Sequence, residues 1–451
     1  MRCKVIGEGA NLGMTQRGRI EAALAGIRLN TDAIDNSAGV NTSDVEVNIK
    51  IALSRPLRSG ALTLQARNAL LAGMTDEVAR LVLRNNYQQT LALSLAQRRG
   101  LEDLGFQQRL MQTLEMHGQL DRAVEFLPDE MAIAERRKRN LALTRPELAV
   151  LLAYAKLSLY GELLDSAVPD DPYLGRELER YFPKEMAEHY DDALHAHRLR
   201  REIIATQLTN SMINRGGATL IVRIADQTGA APAAIAAAFA AVQDLLLDRL
   251  VWFLRNVNAK QGLETVIAHY RDGIAQVAAA LDGALSKSAA AARDARLAEL
   301  TRAGVPEALA RRLANLPLLK AAPDIVLVAD RAKKPIAEVT ATYFAAEAFF
   351  QLDRVAGAVP GIVVSDYFDR LALDRALDSI GDAERRLTAA MVGNGKYDKE
   401  LAGAGAVEEW IKPRRMEVER IRAAIHEIAG SGLTLSKLSV AASLLGDLAR
   451  Q

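Results

Sequence analysis

The chain has 451 residues, half of them apolar, which is enough for a large core and, by length, about three domain-sized units. Its 57 Lys+Arg against 56 Asp+Glu leave a net charge of +1, which disfavours a nonspecific binder of nucleic acid or of an anionic membrane. The single cysteine, Cys3, excludes an intramolecular disulfide and is expected to be a buried filler; no basic-then-apolar leader precedes the first strand-like residues, so the cytoplasm is the expected compartment.

In chain order, Lys4-Val5-Ile6 reads as the end of a short strand, Gly7 to Gly13 as a glycine-rich turn, Thr15 to Ala25 as a helix, and Gly26 to Asn30 as a second strand. That is one β-loop-α-β unit. After Pro56 nearly every segment has helical periodicity and helical punctuation, so the fold class is mainly α behind that opening unit. Asp76 and Glu77 after Thr75 suit the positive end of a helix that stops at Gly100, with Asn85-Asn86 as a candidate interruption. Thr144-Arg145-Pro146-Glu147 is a capping box, and the apolar helix it opens, Leu148 to Tyr160, is expected in the core.

Val168 to Gly175, Arg180 to Lys184, and Gly393 to Lys396 with Gly403 and Gly405 read as loops. The longest apolar stretch, Gly229 to Val242, has fourteen residues including Pro232, short of the about twenty that span a bilayer. Ala275 to Leu300, alanine-rich, fits a long surface helix or a flexible arm, with helix expected from alanine's propensity, and Gly304-Val305-Pro306-Glu307 opens another helix. No repeat of solenoid length is evident.

Two segments could carry chemistry. Gly7-Glu8-Gly9-Ala10-Asn11-Leu12-Gly13 follows a strand and precedes a helix, as dinucleotide-binding turns do, but its spacing is G-x-G-x-x-x-G and the further strands of a doubly wound sheet do not follow. A tight turn without a ligand fits it as well. Asn30 to Asp44 is rich in small, polar and acidic residues, as suits a conformationally special loop. Within it Ser43-Asp44-Val45-Glu46 fits a capping box: either Ser43 only starts a helix, or that helix start also holds a substrate carboxylate. Alternation over Val45, Val47, Ile49, Ile51 and Leu53 argues for strand against the cap; helix is the expectation.

Other side chains argue for less. Of His117, His189, His195, His197, His269 and His426, only 189, 195 and 197 lie close together, and 195 and 197 point apart on a helix, so ordinary surface histidines are expected and no metal site. Glu135-Arg136-Arg137-Lys138-Arg139 reads as a solvated helix face.

The stretch VIGEGANLGMTQRGRIEAALAGIRLNTDAIDNSAGVNTSDVEVNIKI resembles the end of the catalytic domain of the large bacterial NAD-dependent glutamate dehydrogenases. Glu8-Gly9-Ala10-Asn11 is similar to their E-G-A-N motif, and Asn36-Ser37-Ala38-Gly39-Val40 to their N-A-G-G-V loop, in the same order and about twenty-five residues apart. Val82 to Tyr87, Leu120 to Pro128, Leu143 to Leu157 and Arg201 to Gly217 are similar to segments of the helical C-terminal region of the same enzymes. The sequence departs from the pattern after the loop, with Asn41, Thr42 and Val45 where D-C-S-D-H-E is expected, while Ser43 is retained.

The resemblance implies that Gly9, Ala10 and Asn11 contact the nicotinamide end of NAD, and that Val40 and Ser43 contact the substrate side chain, Ser43 through its hydroxyl to the distal carboxylate. It implies oxidation of L-glutamate to 2-oxoglutarate and ammonia with NAD as cofactor, no catalytic residue within this chain, and a homo-oligomer. The family's catalytic lysine and aspartate and its G-x-G-x-x-G turn lie upstream of these motifs. Residues 1–72 are then the C-terminal remnant of the NAD-binding and catalytic domain, a βαβ remnant of a Rossmann-type α/β fold, and 73–451 a large helical domain, with candidate subdivisions near 160–185 and 300. Its partners are glutamate or 2-oxoglutarate and the remainder of the catalytic domain, with no nucleic acid and no membrane. The alternative is a non-catalytic helical module for packing, oligomerisation or regulation.

Overall fold

The structure, a computed structural model, describes residues 3–9, 13–243, 249–257, 262–393 and 401–450. Among them helices dominate and no extended strand forms. The two strand-like segments meet in an isolated parallel bridge between Val5 and Arg28, where Ile6 N–H donates to Arg28 O (2.9 Å) and Arg28 N–H to Lys4 O (3.0 Å). The helix Gln16–Leu24 (α1) connects them. Two strand-like segments with no described neighbours have little to extend the pairing. Cys3, expected inside, is exposed beside this bridge.

The chain divides into two compact units, Met1–Gln243 with Leu250–Asn258, and Asp244–Arg249 with Ala259–Gln451. The first holds α1 and, in order, α2 (Ser37–Arg58), α3 (Thr75–Arg99), α4 (Leu101–Met116), α5 (Arg145–Leu164), α6 (Arg200–Gly216) and α7 (Pro232–Val242). At its centre lies α5, against which α1, α3, α4, α6 and α7 all pack. The capping box supplies the reason its start can be buried. The fully buried Glu147 carboxylate accepts from the Thr144 amide (2.6 Å) and hydroxyl (2.7 Å) and from both terminal nitrogens of Arg136 (2.8 Å each). Behind it Leu148, Leu151, Leu152, Leu159 and Leu163 enter the core, as its apolar pattern predicts.

Some boundaries moved. α3 runs unbroken through Asn85 and Asn86 and stops at Gly100, whose φ of +54° is the left-handed conformation glycine adopts readily. The expected loop after Ala167 is two 3₁₀ turns, Val168–Asp170 and Pro172–Leu174. Only Phe182 and Pro183 of the second expected loop separate the helices Gly175–Tyr181 and Lys184–His189. The alanine-rich tract is two helices rather than one: Leu263–Ala284 (α8) ends at extended Leu285, and the Ser286 hydroxyl accepts from Ala289 N–H to start Lys287–Arg302. Alanine's propensity does not outweigh that local cap.

In the second unit α8 packs on Ala322–Ala332 (α9) and Ile336–Phe350 (α10), and Tyr367–Val392 (α11) packs on α10 and on Leu435–Leu448 (α13), which also meets Arg415–Gly430 (α12). α8 and α9 approach closely at Gly273, where a Cβ would lie 2.5 Å from a methyl of Val326. Glu307–Leu319 follows Pro306 as expected, and Gly403, at φ +61°, precedes Ala404–Ile411; residues 394–400 of the expected glycine-rich loop lie outside the described residues. No described helix is long and apolar enough to cross a membrane.

Candidate functional site

The glycine turn and the Asn30–Asp44 segment come together through a chain of partly buried polar contacts in the first unit. Glu8 N–H donates to Asp35 Oδ2 (3.0 Å), and Asn30 Nδ2 donates to Asp35 Oδ1 (2.7 Å). From α1, Arg19, only 1% exposed, reaches both segments, donating to Glu8 Oε2 (2.7 Å) and to the Asn30 carbonyl (3.0 Å). Arg145, at the start of α5, closes the chain by donating to Asn30 Oδ1, Ser94 Oγ (3.0 Å) and the Thr90 carbonyl (3.1 Å). Burial lowers the Arg145 pKa from its ordinary value, with Asp35 opposing. Two guanidinium groups thus face two carboxylates across the segment, so the charges balance, while Glu8 Oε1 is buried without a hydrogen-bond partner among the described residues.

Gly9 is exposed beside Glu8, with open space where a Cβ would be; Ala10 and Asn11 lie outside the described residues. Gly13 N–H donates to Glu8 Oε2 (3.1 Å) and Gly18 N–H to the Thr15 hydroxyl (3.1 Å). Among the described residues, these two amides are thus engaged within the turn and by the helix cap rather than open to a ligand.

Ser43 is not an N-cap. The helix starts nearly two turns earlier, at Ser37, and Ser43 is an exposed interior position of α2. The cause lies at the real start: after the short helix Asp32–Asp35, Ser37 is held from α3, and Thr42, inside the first turns, donates to the Ala38 carbonyl (2.8 Å). The expectation of helix over strand for residues 45–53 holds. At 100° per residue Val40, Ser43 and Val47 share the face opposite buried Val45, Ile49, Ala52 and Leu53; Val40 is 55% exposed. Both residues expected at the substrate side chain therefore lie on one solvent-facing stripe near the start of α2.

Residues from the helical segments support this start. Ser37 Oγ lies 2.6 Å from Asn86 Oδ1 and 3.1 Å from the Ile34 carbonyl, and accepts from Gln89 Nε2 (2.5 Å). Gln89 Oε1 accepts from Lys156 Nζ (3.3 Å) on α5; burial lowers that amine's pKa to about 8. Asn85, neighbour of Asn86 on α3, accepts from Asn214 Nδ2 (3.0 Å) on α6. Further along α2, His197 is buried rather than at the surface. Its Nδ1 accepts from Leu199 N–H (3.1 Å), which leaves Nε2–H to donate to the Asn48 carbonyl (3.2 Å). Burial, chiefly, lowers its pKa.

The sequence reading missed Arg19, Asn30, Asp35, Arg145, Gln89 and Lys156 as parts of this arrangement. Arg145 and Lys156 do lie inside the Leu143–Leu157 segment, and Asn86 inside Val82–Tyr87, but their partners are far away in sequence. Elsewhere His195 is joined not by His197 but by Glu179 and Asp191, an exposed group whose candidate ligand atoms lie within 4.8 Å of one another. Exposed acidic side chains gather this way without a metal, and no second feature marks the place as a metal site.

Two family models match the chain. One, described as "Glutamate dehydrogenase, C-terminal", matches residues 140–247 and 240–447; the other, "Bacterial NAD-glutamate dehydrogenase, catalytic domain", matches residues 1–96. Among curated proteins the chain is 38% identical to an NAD-specific glutamate dehydrogenase of Pseudomonas aeruginosa, 38% to one of Halomonas elongata and 33% to one of Mycobacterium tuberculosis. Each alignment covers 100% of this chain and 30% of the relative, so the chain spans less than a third of the length of the relatives it matches. The match over most of the chain to the first model, preceded by the match to the second, places it at the C-terminal side of these enzymes: the chain belongs to the glutamate dehydrogenase C-terminal family.

Proposed function

We propose that this chain is the C-terminal part of an NAD-dependent glutamate dehydrogenase, which oxidises L-glutamate to 2-oxoglutarate and ammonia while hydride passes to NAD. The observation that carries the reading is the bond from Glu8 N–H to Asp35, which sets the turn bearing Gly9 against the segment leading to Val40 and Ser43. In this reading Gly9, Ala10 and Asn11 line the nicotinamide end of NAD, and Val40 and Ser43 meet the glutamate side chain. Residues 1–72 are the end of the catalytic domain and 73–451 the helical domain. The parallel bridge of Val5 with Arg28 supports a Rossmann-type remnant, whose open edge and exposed α2 stripe are covered by the rest of the catalytic domain.

The catalytic lysine and aspartate belong to that remainder, so this chain alone reduces no NAD with glutamate: the proton acceptor and the held cofactor are both supplied from outside it. The test is the complete protein carrying Ser43→Asp. Because Ser43 is exposed and no cap, the substitution leaves folding intact, and a negative charge placed against the distal carboxylate raises the glutamate KM severely while NAD affinity stays as it was. Near-normal glutamate saturation in that variant overturns the substrate-binding role. Absence of glutamate-dependent NADH formation by the unaltered complete protein overturns the activity itself.

A further inference from the structure

We propose that Lys156 is a positioning residue for the Asn36–Val40 segment at the start of α2, acting through Gln89 although it lies on the central helix of the first unit. The inference rests on the glutamate-dehydrogenase reading for what the turn binds, and on hydrogen-bond direction for how it is held.

An ammonium group can only donate, so the contact from Lys156 Nζ to Gln89 (3.3 Å) requires the amide oxygen on that side. The amide nitrogen then faces the other way, where it donates to Ser37 Oγ (2.5 Å) and lies 3.0 Å from Asn86 Oδ1. With its lone pair occupied, the Ser37 hydroxyl directs its proton to Asn86 Oδ1 at 2.6 Å, the shorter of its two acceptors. Lys156 and Asn86 Oδ1 thus hold the same one of the two orientations of the Gln89 amide, Lys156 from its oxygen side, and that orientation fixes the first residue of α2, three residues before Val40. With an apolar side chain at 156 the amide oxygen loses that donor, the orientation rests on the Nε2 contacts alone, and the start of α2 is held less firmly.

Lys156 is also costly to keep. It is paired with no carboxylate among the described residues, and burial is the cause of its lowered pKa. A buried cation without an anion destabilises a fold, and an apolar side chain of similar length avoids that cost. A residue retained only for packing predicts that Lys156→Met is neutral or stabilising and silent in catalysis. A positioning residue predicts an unchanged or raised melting temperature together with a loss in substrate binding.

The experiment compares Lys156→Met, Gln89→Met and the double variant in the complete enzyme, with glutamate and NAD kinetics, thermal melting and amide hydrogen exchange over residues 34–40. Expected in Lys156→Met are faster exchange over 34–40 and a glutamate KM raised about tenfold or more, since small misplacements of a binding group have effects of that order, with the KM for NAD unchanged. Gln89→Met has the same effect, and the double variant is no worse than the single ones, because both remove one relay. Unchanged exchange and unchanged glutamate KM in a folded Lys156→Met enzyme overturn the proposal. So does a raised KM in Lys156→Met that Gln89→Met fails to reproduce. The unaltered enzyme separates the two readings: if it forms no NADH from glutamate the functional reading fails, whereas unchanged exchange in the variants means the relay fails.

Discussion

In the first unit Arg19, Asp35 and Arg145 converge on Asn30, Glu8 is joined to them through Arg19 and Asp35, and Arg136 and Thr144 converge on Glu147, so the ends of several elements are tied by buried or half-buried charged side chains. In the second unit Phe350, Leu387, Ile425, Leu438 and Leu445, each at most 1% exposed, form an apolar core; one buried acid, Asp324, is paired with Arg385 (2.8 Å), and two further acids, Glu384 and Glu347, are shifted by burial towards the protonated form. Glu384 is pushed well above the carboxylate range by burial and then by Glu347 beside it, and Glu347 itself is pushed by burial to about 7. Apolar burial stabilises without regard to direction, whereas charged hydrogen bonds specify where a loop must sit. The region built from directional bonds is the one that carries both candidate binding motifs.

Removing one member of each kind of core tests this contrast most severely. Glu147→Ala leaves the half-buried Arg136 without its partner and unmakes the cap of α5, and a loss of about 3–5 kcal/mol is expected. Ile425→Ala, which leaves a cavity in the second unit, costs about 2–5 kcal/mol. Denaturant midpoints measure both. A loss under about 1 kcal/mol for Glu147→Ala, within the range of ordinary surface changes, contradicts the polar clamp.

The two units also respond to pH with opposite signs. The Lys156 amine, lowered to about 8 from an ordinary 10.5, has released its proton in the folded chain while the unfolded chain still holds one, so its contribution to stability rises as pH climbs from about 8 to 10.5. Glu347 and Glu384, raised above an ordinary 4.5, hold protons in the folded chain that the unfolded chain has lost. Their contribution is complete below about 4.5 and is lost as pH rises towards and beyond 7. Chemical denaturation across pH is expected to show the fall flattened by Glu384→Gln and the alkaline rise removed by Lys156→Met. A stability profile that neither variant alters refutes both assignments.

The smallest expected effect tests the correction at Ser43. As a cap it contributes about 0.5–2 kcal/mol, but as an exposed interior residue of α2 its replacement by Ala changes stability by no more than about 0.5 kcal/mol. A larger loss on thermal melting places the helix start back at residue 43.

Local patterns were sufficient for much of this. The mainly helical class, the stop at Gly100, the capping box at Thr144, the helix after Pro306 and the central place of α5 all follow from periodicity and end signals that act within a few residues. The same locality explains the errors: Ser43 matches a cap pattern that the earlier start at Ser37 overrides, and the alanine-rich tract divides at Ser286 because one hydroxyl satisfies a helix start. His197 and Cys3 exchange their expected environments because burial depends on what packs beside a residue, not on its own type.

Contiguous residues were enough to establish the family resemblance, the order of the two motifs and the helical character of the chain beyond them. Packing alone decided that Arg145 and Lys156, three turns apart on one helix, reach the two ends of the segment between Asn30 and Ser37. Hydrogen bonds between groups more than a hundred residues apart, as from Arg145 to Asn30, leave no periodicity in the chain, because their geometry exists only once the helices between them have packed.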